Sequence, residues 1–194
     1  MRIDVVRYDA PEAAELIEEV QQEYVVRYGG RDGTPVDPAE FAPPNGLFLV
    51  GFADETDAAG AAGAAGVAGW TGVAGWTGVA GWTGVAGWTG VAGWTGVAGW
   101  TGVACGGWRG HGTDAELKRM YVRRDARRGG FARAMLAELE RTALAAGYRR
   151  MILETGSKQP EAVALYRSAG YTDIPAFGHY AHAPLSVHLG KSLA

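Results

Sequence analysis

The chain has 194 residues, enough for one domain carrying an insertion. Its 18 Lys and Arg against 21 Asp and Glu give a net charge of −3, which excludes a nucleic-acid footprint, and no basic run marks a membrane surface. The single cysteine, Cys105, excludes an internal disulfide framework and fits a reducing cytoplasm, and Asp4, Asp9 and several glutamates stand where a signal peptide needs an apolar run.

Arg2–Tyr8 is short and β-branched and reads as a first strand. Asp9, with Glu12 three residues on, has the pattern of a capping box, and Ile17, Val20 and Tyr24 follow at helical spacing, so a helix is predicted over residues 10–26. The Gly- and Pro-rich stretch after it is loop, with one helical turn near Pro38–Phe41. Leu47–Phe52 and Val103–Arg109 are buried-strand signals, and Ala115–Val122 reads as the next strand. Phe131–Ala146 is an amphipathic helix closed by a left-handed Gly147, and Met151–Thr155 is a strand. Pro160 opens a short helix that Gly170 ends, and Tyr171–Ile174 and Leu185–Leu189 are the final strands. This order predicts an α/β fold with a mixed sheet.

Between the second and third strands lies a low-complexity stretch, residues 58–101, that ends in six copies of GVAGWT (residues 66–101). From Ala58 to Trp108 no residue is charged, but a third of each unit is glycine, which makes a spanning helix a poor prediction. The period of six is even, so an extended chain would put every Val on one face and every Trp on the other. Three readings follow. The tract is a Trp-rich stacking arm, a two-coil left-handed β-helix, or an inert duplication of the strand it runs into; the match between GVAGWTG and GVACGGWRG favours the last.

The strongest local signal is Arg127-Arg128-Gly129-Gly130-Phe131-Ala132, which follows a strand and opens a helix. Backbone N–H groups at a helix N-terminus attract an anion, glycine lets a phosphate approach, and Arg127, Arg128 and Arg133 add positive charge. The alternative is a tight turn with solvated arginines. The string matches the pattern (Gln or Arg)-x-x-Gly-x-(Gly or Ala) at Arg127, Gly130 and Ala132, and here the chain resembles the GNAT superfamily of N-acetyltransferases. Glu116–Val122 looks like that family's fourth strand. Gln159-Pro160-Glu161-Ala162-Val163-Ala164-Leu165-Tyr166 is similar to its Asn-x-x-Ala-x-x-Leu-Tyr segment, with Gln159 in place of Asn, and Arg167–Tyr171 matches its ending. The likeness spans residues 46–52 and 103–191 well and the N-terminal half loosely.

The resemblance implies a GNAT-like, mostly antiparallel central sheet flanked by helices, with the repeat inserted between strands 2 and 3 of a single domain. It implies acetyl-CoA as cosubstrate, without a metal, held at Met120, Val122, Arg127, Arg128, Gly129, Gly130, Ala132, Arg133, Gln159 and Tyr166. Acetyl would pass directly to a primary amine of a small molecule. An amine attacks only when neutral, so a base, a carbonyl-polarising donor and an acid for the thiolate are needed. The resemblance assigns these to Glu116, the Met120 N–H and Tyr166. Protein or peptide N-acetylation, or a non-catalytic CoA-binding or Trp-mediated interaction protein on the same scaffold, are the competing readings. Arg27 is a candidate carboxylate anchor for the acceptor. His179, Tyr180 and His182 either line the acceptor pocket or pack a hairpin. His111 reads as solvated, Cys105 as a small core residue, and no cluster has metal-ligand spacing. A cytoplasmic monomer or homodimer, with no nucleic-acid or membrane partner, completes the expectation.

Overall fold

Strict alternation in one apolar strand divides the interior in two. In Gly46–Asp54, Leu47 and Leu49 enter one core and Phe48, Val50 and Phe52 the other. The computed structural model describes residues 1–54 and 100–193. These run β1 (Arg2–Val6), α1 (Pro11–Tyr28), a 3-10 turn (Pro38–Phe41), β2 (Gly46–Asp54), β3 (Trp100–His111) and β4 (Asp114–Val122). After a 3-10 turn at Arg124–Ala126 come α2 (Phe131–Ala145), β5 (Arg150–Gly156), α3 (Pro160–Ser168), β6 (Thr172–Asp173) and β7 (Ser186–Ser192).

The strands form one sheet in the order β1-β2-β3-β4-β5-β7-β6, antiparallel except where β4 runs parallel to β5. This is the mixed, mostly antiparallel sheet flanked by helices that the resemblance implied. Met135, Leu136 and Leu139 of α2 pack with Leu47, Leu49, Trp108 and Leu117 in the larger core. On the other face Ala13 and Leu16 of α1 cover Phe48, Val50, Phe52 and the buried Cys105. No helix among the described residues is long and apolar enough to cross a membrane.

Two local expectations change. The capping box at Asp9 does not form. Its carboxylate is held by Arg7, at 2.6 and 2.8 Å, so Ala10 caps the helix without a side-chain bond and Pro11 supplies the preset first turn. A capping box does form at Asp37 and Glu40, where it starts the 3-10 turn. The second change concerns the repeat. Residues 55–99 lie outside the described residues, and with them the stacking-arm and β-helix readings, but β3 begins at Trp100, inside the last unit. Trp100 and Thr101 pair with Asp54 and Ala53, and the Arg2 guanidinium lies 5.1 Å from the Trp100 ring.

Further along β3, Gly107 leaves no room for a side chain and Gly106 leaves little. A Cβ at Gly107 would stand 2.6 Å from Phe48 Cδ2 and 2.8 Å from the Leu47 carbonyl oxygen, and one at Gly106 would stand 3.0 Å from Leu139 Cδ1.

A deletion test follows from where β3 starts. Removing residues 66–95 leaves one intact unit and so preserves every residue of β3. The connection shortens roughly threefold, which is expected to stabilise the fold by about 1 kcal/mol. Removing 66–101 takes Trp100 and Thr101 out of the sheet as well, and should melt lower than the first deletion. Thermal melts of the two variants check the order; a 66–95 deletion that fails to fold would show that the removed units supply necessary contacts.

Candidate active site

The parallel pair β4–β5 is short. Ala115, Glu116 and Leu117 face Met151, Ile152 and Leu153, and beyond them the strands part. The parting has a cause in β4 itself. Arg119 and Met120 together oppose Gly106 of β3, a bulge in which Arg119 takes a left-handed backbone (φ 56°). An ion pair between Arg119 and Asp32, on the loop after α1, ties the bulge down, with the Tyr8 hydroxyl 3.5 Å from Arg119 Nε. Thr34 N–H and the Tyr180 hydroxyl both donate to Asp32 Oδ1, at 2.8 and 3.1 Å, so the loop after α1, the β4 bulge and the segment before β7 meet at this carboxylate.

The opening between the strands leads into a cavity of about 390 Å³. Leu117, Met120 and Ala162 give it an apolar side, while Lys118, Glu154 and Tyr166 bring chemistry to it. Pockets of this size suit a small ligand or the reacting end of a larger one.

Glu116, the candidate base, does not line this cavity. It is 2% exposed, and both its oxygens are taken: Oε1 by Lys118 Nζ at 2.8 Å and Oε2 by Arg109 Nε at 2.8 Å. Arg109 reaches on to Glu40 Oε2 at 2.6 Å. Burial alone would raise the Glu116 carboxyl, but Lys118 and Arg109 outweigh it and hold the group below its ordinary range. Such a carboxylate is a poor proton acceptor.

A residue that sequence reasoning passed over stands in the cavity instead. Glu154, on β5, lines the wall with one oxygen, Oε2, buried and without a hydrogen-bond partner among the described residues; Ser186 Oγ is 3.4 Å from the other. Burial raises its carboxyl above the ordinary range, Asp32 and Glu116 add to the rise, and Lys118 opposes it. The available signal was a carboxylate closing an otherwise apolar strand, MILET. Tyr166, on α3, also lines the cavity, and its ring meets Tyr171 edge-on at 5.7 Å. Burial pushes the Tyr166 phenol well above its usual range, so it stays protonated at neutral pH.

The remaining candidates separate cleanly. Gln159 lines the cavity and lies 3.1 Å from Thr155 Oγ1. Tyr180 lines it too and receives the Gly33 N–H at 2.7 Å, while its neighbour His179 packs edge-on against it. Arg27 is engaged elsewhere: it joins α1 to α3 through Glu23, Glu161 and the Lys158 carbonyl. The turn from Arg127 to Ala132 follows the 3-10 turn after β4, with Arg128 (φ 69°) and Gly130 (φ 82°) both left-handed and Gly130 as the N-cap of α2. Arg127 is spent on Glu23 and the Val122 carbonyl, and Arg133 Nη2 is 3.2 Å from Ser168 Oγ. Arg128 makes no ion pair among the described residues.

Gly130 opens onto empty space, with nothing within 4 Å of a Cβ built there, beside the free N–H groups of the α2 N-terminus. Aspartate there must adopt φ > 0 and sets a negative charge against an incoming phosphate. Gly130→Asp is therefore expected to weaken CoA binding at least about tenfold. Calorimetry on the folded variant checks this, and unchanged affinity would remove the turn from the site.

Comparison with known proteins agrees with this architecture. Residues 14–171 match the model of the acetyltransferase (GNAT) family. A relative from Azospirillum brasilense, named IAA acetyltransferase, is 43% identical over 82 residues, which is 42% of this chain and 54% of that protein. The match thus spans about half the length of this curated relative. A candidate acyl-CoA N-acyltransferase from Klebsiella pneumoniae is 22% identical with a TM-score of 0.63, covering 100% of this chain and 97% of that one. The PaiA N-acetyltransferase of Thermoplasma acidophilum, solved with coenzyme A, is 13% identical with a TM-score of 0.57, covering 99% of each chain. At these identities the two structures share the fold. With the family model matched over most of its length and the sheet opening between β4 and β5, the chain belongs to the acetyltransferase (GNAT) family, an acyltransferase family whose fold uses acetyl-CoA.

Proposed function

We propose that this enzyme transfers acetyl from acetyl-CoA directly to the primary amine of a small molecule, with Glu154 as the base. The observation that carries the reading is the Glu154 carboxylate, with a buried, unpartnered oxygen, in the same cavity as Tyr166 and Met120. An acceptor ammonium gives its proton to Glu154, whose raised pKa suits it to this work near neutral pH. The Met120 N–H, presented by the bulge, polarises the thioester carbonyl, and the Tyr166 phenol gives its proton to the departing sulfur. The α2 N-terminus with Arg128 and Gly130 holds the pyrophosphate, and the apolar wall of Leu117, Met120 and Ala162 fits the pantetheine arm.

Size supports a small acceptor. A cavity of about 390 Å³ must also take the acetyl end of the donor, and Tyr180 and Asp32 are tied together over it. A thiol-release screen with acetyl-CoA against amino acids, polyamines, aminoglycosides and peptides tests the reading. Turnover is expected with compact amines. Turnover confined to peptides or to protein N-termini would replace the acceptor class, and release with none of them would favour a non-catalytic CoA-binding role.

A further inference from the structure

We infer that Lys118, steered by Glu116, is a positioning residue that sets how readily Glu154 takes up a proton. The catalytic meaning of this coupling rests on Glu154 being the base; the coupling itself does not.

The geometry begins at the last paired residues of β4 and β5. Glu116 is in register with Ile152, so the two side chains share a face of the sheet. Two residues on, Lys118 and Glu154 share that same face. Each stands immediately past Leu117 or Leu153, where the pairing of β4 with β5 stops, at the mouth of the opening, and both line the cavity. Lys118 is 8% exposed, and one of its three protons is directed to Glu116 Oε1 at 2.8 Å. Behind it the ion pairs continue through Arg109 to Glu40, so charges alternate from the protein surface to the cavity. Glu116 is the pivot of this chain. It is clamped by two cations, contributes nothing to the cavity wall, and fixes where the Lys118 charge sits.

The other groups around Glu154 come from three elements. Asp32, on the loop after α1, adds negative charge, although Arg119 pairs with it. The Tyr180 phenol belongs to the segment before β7 and is itself bonded to Asp32. From β7, His188 is the direct cross-strand neighbour of Glu154, and Ser186 Oγ is 3.4 Å from its Oε1. Burial holds the His188 imidazole below its ordinary range, so near neutral pH it brings no charge. Among the described residues Lys118 is therefore the cation whose charge favours the Glu154 carboxylate, and Glu116 is the carboxylate that either shares or releases it.

Opposite signs make the inference testable. Losing Lys118 removes the charge that favours the carboxylate, so the Glu154 midpoint rises. Losing the Glu116 charge removes a repulsion and frees Lys118, so the midpoint falls. Loosened packing alone gives no such opposition. The measurement is a pH titration of the side-chain carboxyls by NMR in protein carrying carbon-13 at the glutamate δ position. The Glu154 signal is identified by its loss in Glu154→Gln. Lys118→Met should move the midpoint up by about one pH unit or more, Glu116→Gln should move it down, and Lys118→Arg should leave it near wild type. If Lys118→Met does not fold, Glu116→Gln and Lys118→Arg decide the matter. Midpoints that stay fixed, or that move the same way in Lys118→Met and Glu116→Gln, overturn the inference. The titration needs neither acceptor nor turnover. Shifted midpoints in a protein whose Glu154→Gln variant keeps its rate would uphold the coupling and reject only the base assignment.

Discussion

Glu154→Gln is expected to lower turnover by about 10²–10⁴-fold, the range of general acid–base help, with CoA affinity little changed. The amide keeps the size of the side chain and its neighbour Ser186 but cannot accept a proton. Burial raises the carboxyl in the native enzyme, so the sign of the pH dependence is fixed. Below its pKa Glu154 is protonated and idle, and the rate climbs as pH rises through that value. The variant should lose this acidic limb and keep only the titration of the acceptor's own amine. Glu116→Gln should behave differently, because Glu116 is sealed between Lys118 and Arg109. It should keep an acidic limb, displaced to lower pH. Rate profiles of the two variants separate the carboxylates. A Glu154→Gln enzyme running near the wild-type rate would leave catalysis to positioning alone.

Tyr166→Phe should also cost about 10²–10⁴-fold in kcat. Phenylalanine fills the same space and keeps the edge-on contact with Tyr171, so the melting temperature and CoA affinity should change little. What disappears is the proton for the thiolate. The proposed role needs a protonated phenol, and burial keeps it so near neutral pH. The loss should therefore fall on kcat and leave KM for the acceptor nearly untouched. A loss confined to KM would mean that the ring packs or positions substrate without donating.

Features encoded by neighbouring residues were legible from the sequence. The left-handed Gly147, the start of α2 after Gly130 and the opening of α3 at Pro160 each depend on local backbone preference, and each is where its residues place it. Features set by distant partners were not legible. The family resemblance assigns Glu116 the role of base, but its surroundings depend on Arg109 of β3 and, beyond that, on Glu40 in a turn far upstream. Arg27 could be seen to pair with Glu23 one turn back, yet its tie to Glu161 needs the packing of α1 against α3. The position of Glu154 opposite Lys118 follows from the parallel register of β4 and β5, which a whole crossover helix separates in sequence. Asp9 has the residue type of a cap and is claimed by Arg7, a competition that the helical pattern does not reveal.

The paired glycines of β3 protect the fold from its own repeat. Every unit carries the residues Trp-Thr-Gly-Val-Ala with which β3 begins, so each is a rival for the place beside β2. Slide the pairing by one unit, however, and Trp100 and Thr101 arrive where Gly106 and Gly107 now lie. Trp would drive into Leu139, and Thr would meet the Leu47 carbonyl oxygen and the Phe48 ring. Leu139 is a flexible side chain and can shift, but the Leu47 carbonyl oxygen is backbone and cannot, so docking one unit out of step is disfavoured chiefly at position 107. Copy number is thereby uncoupled from correct threading. Gains or losses of whole units during copying of the gene alter the length of the connection and leave the strand that enters the sheet the same.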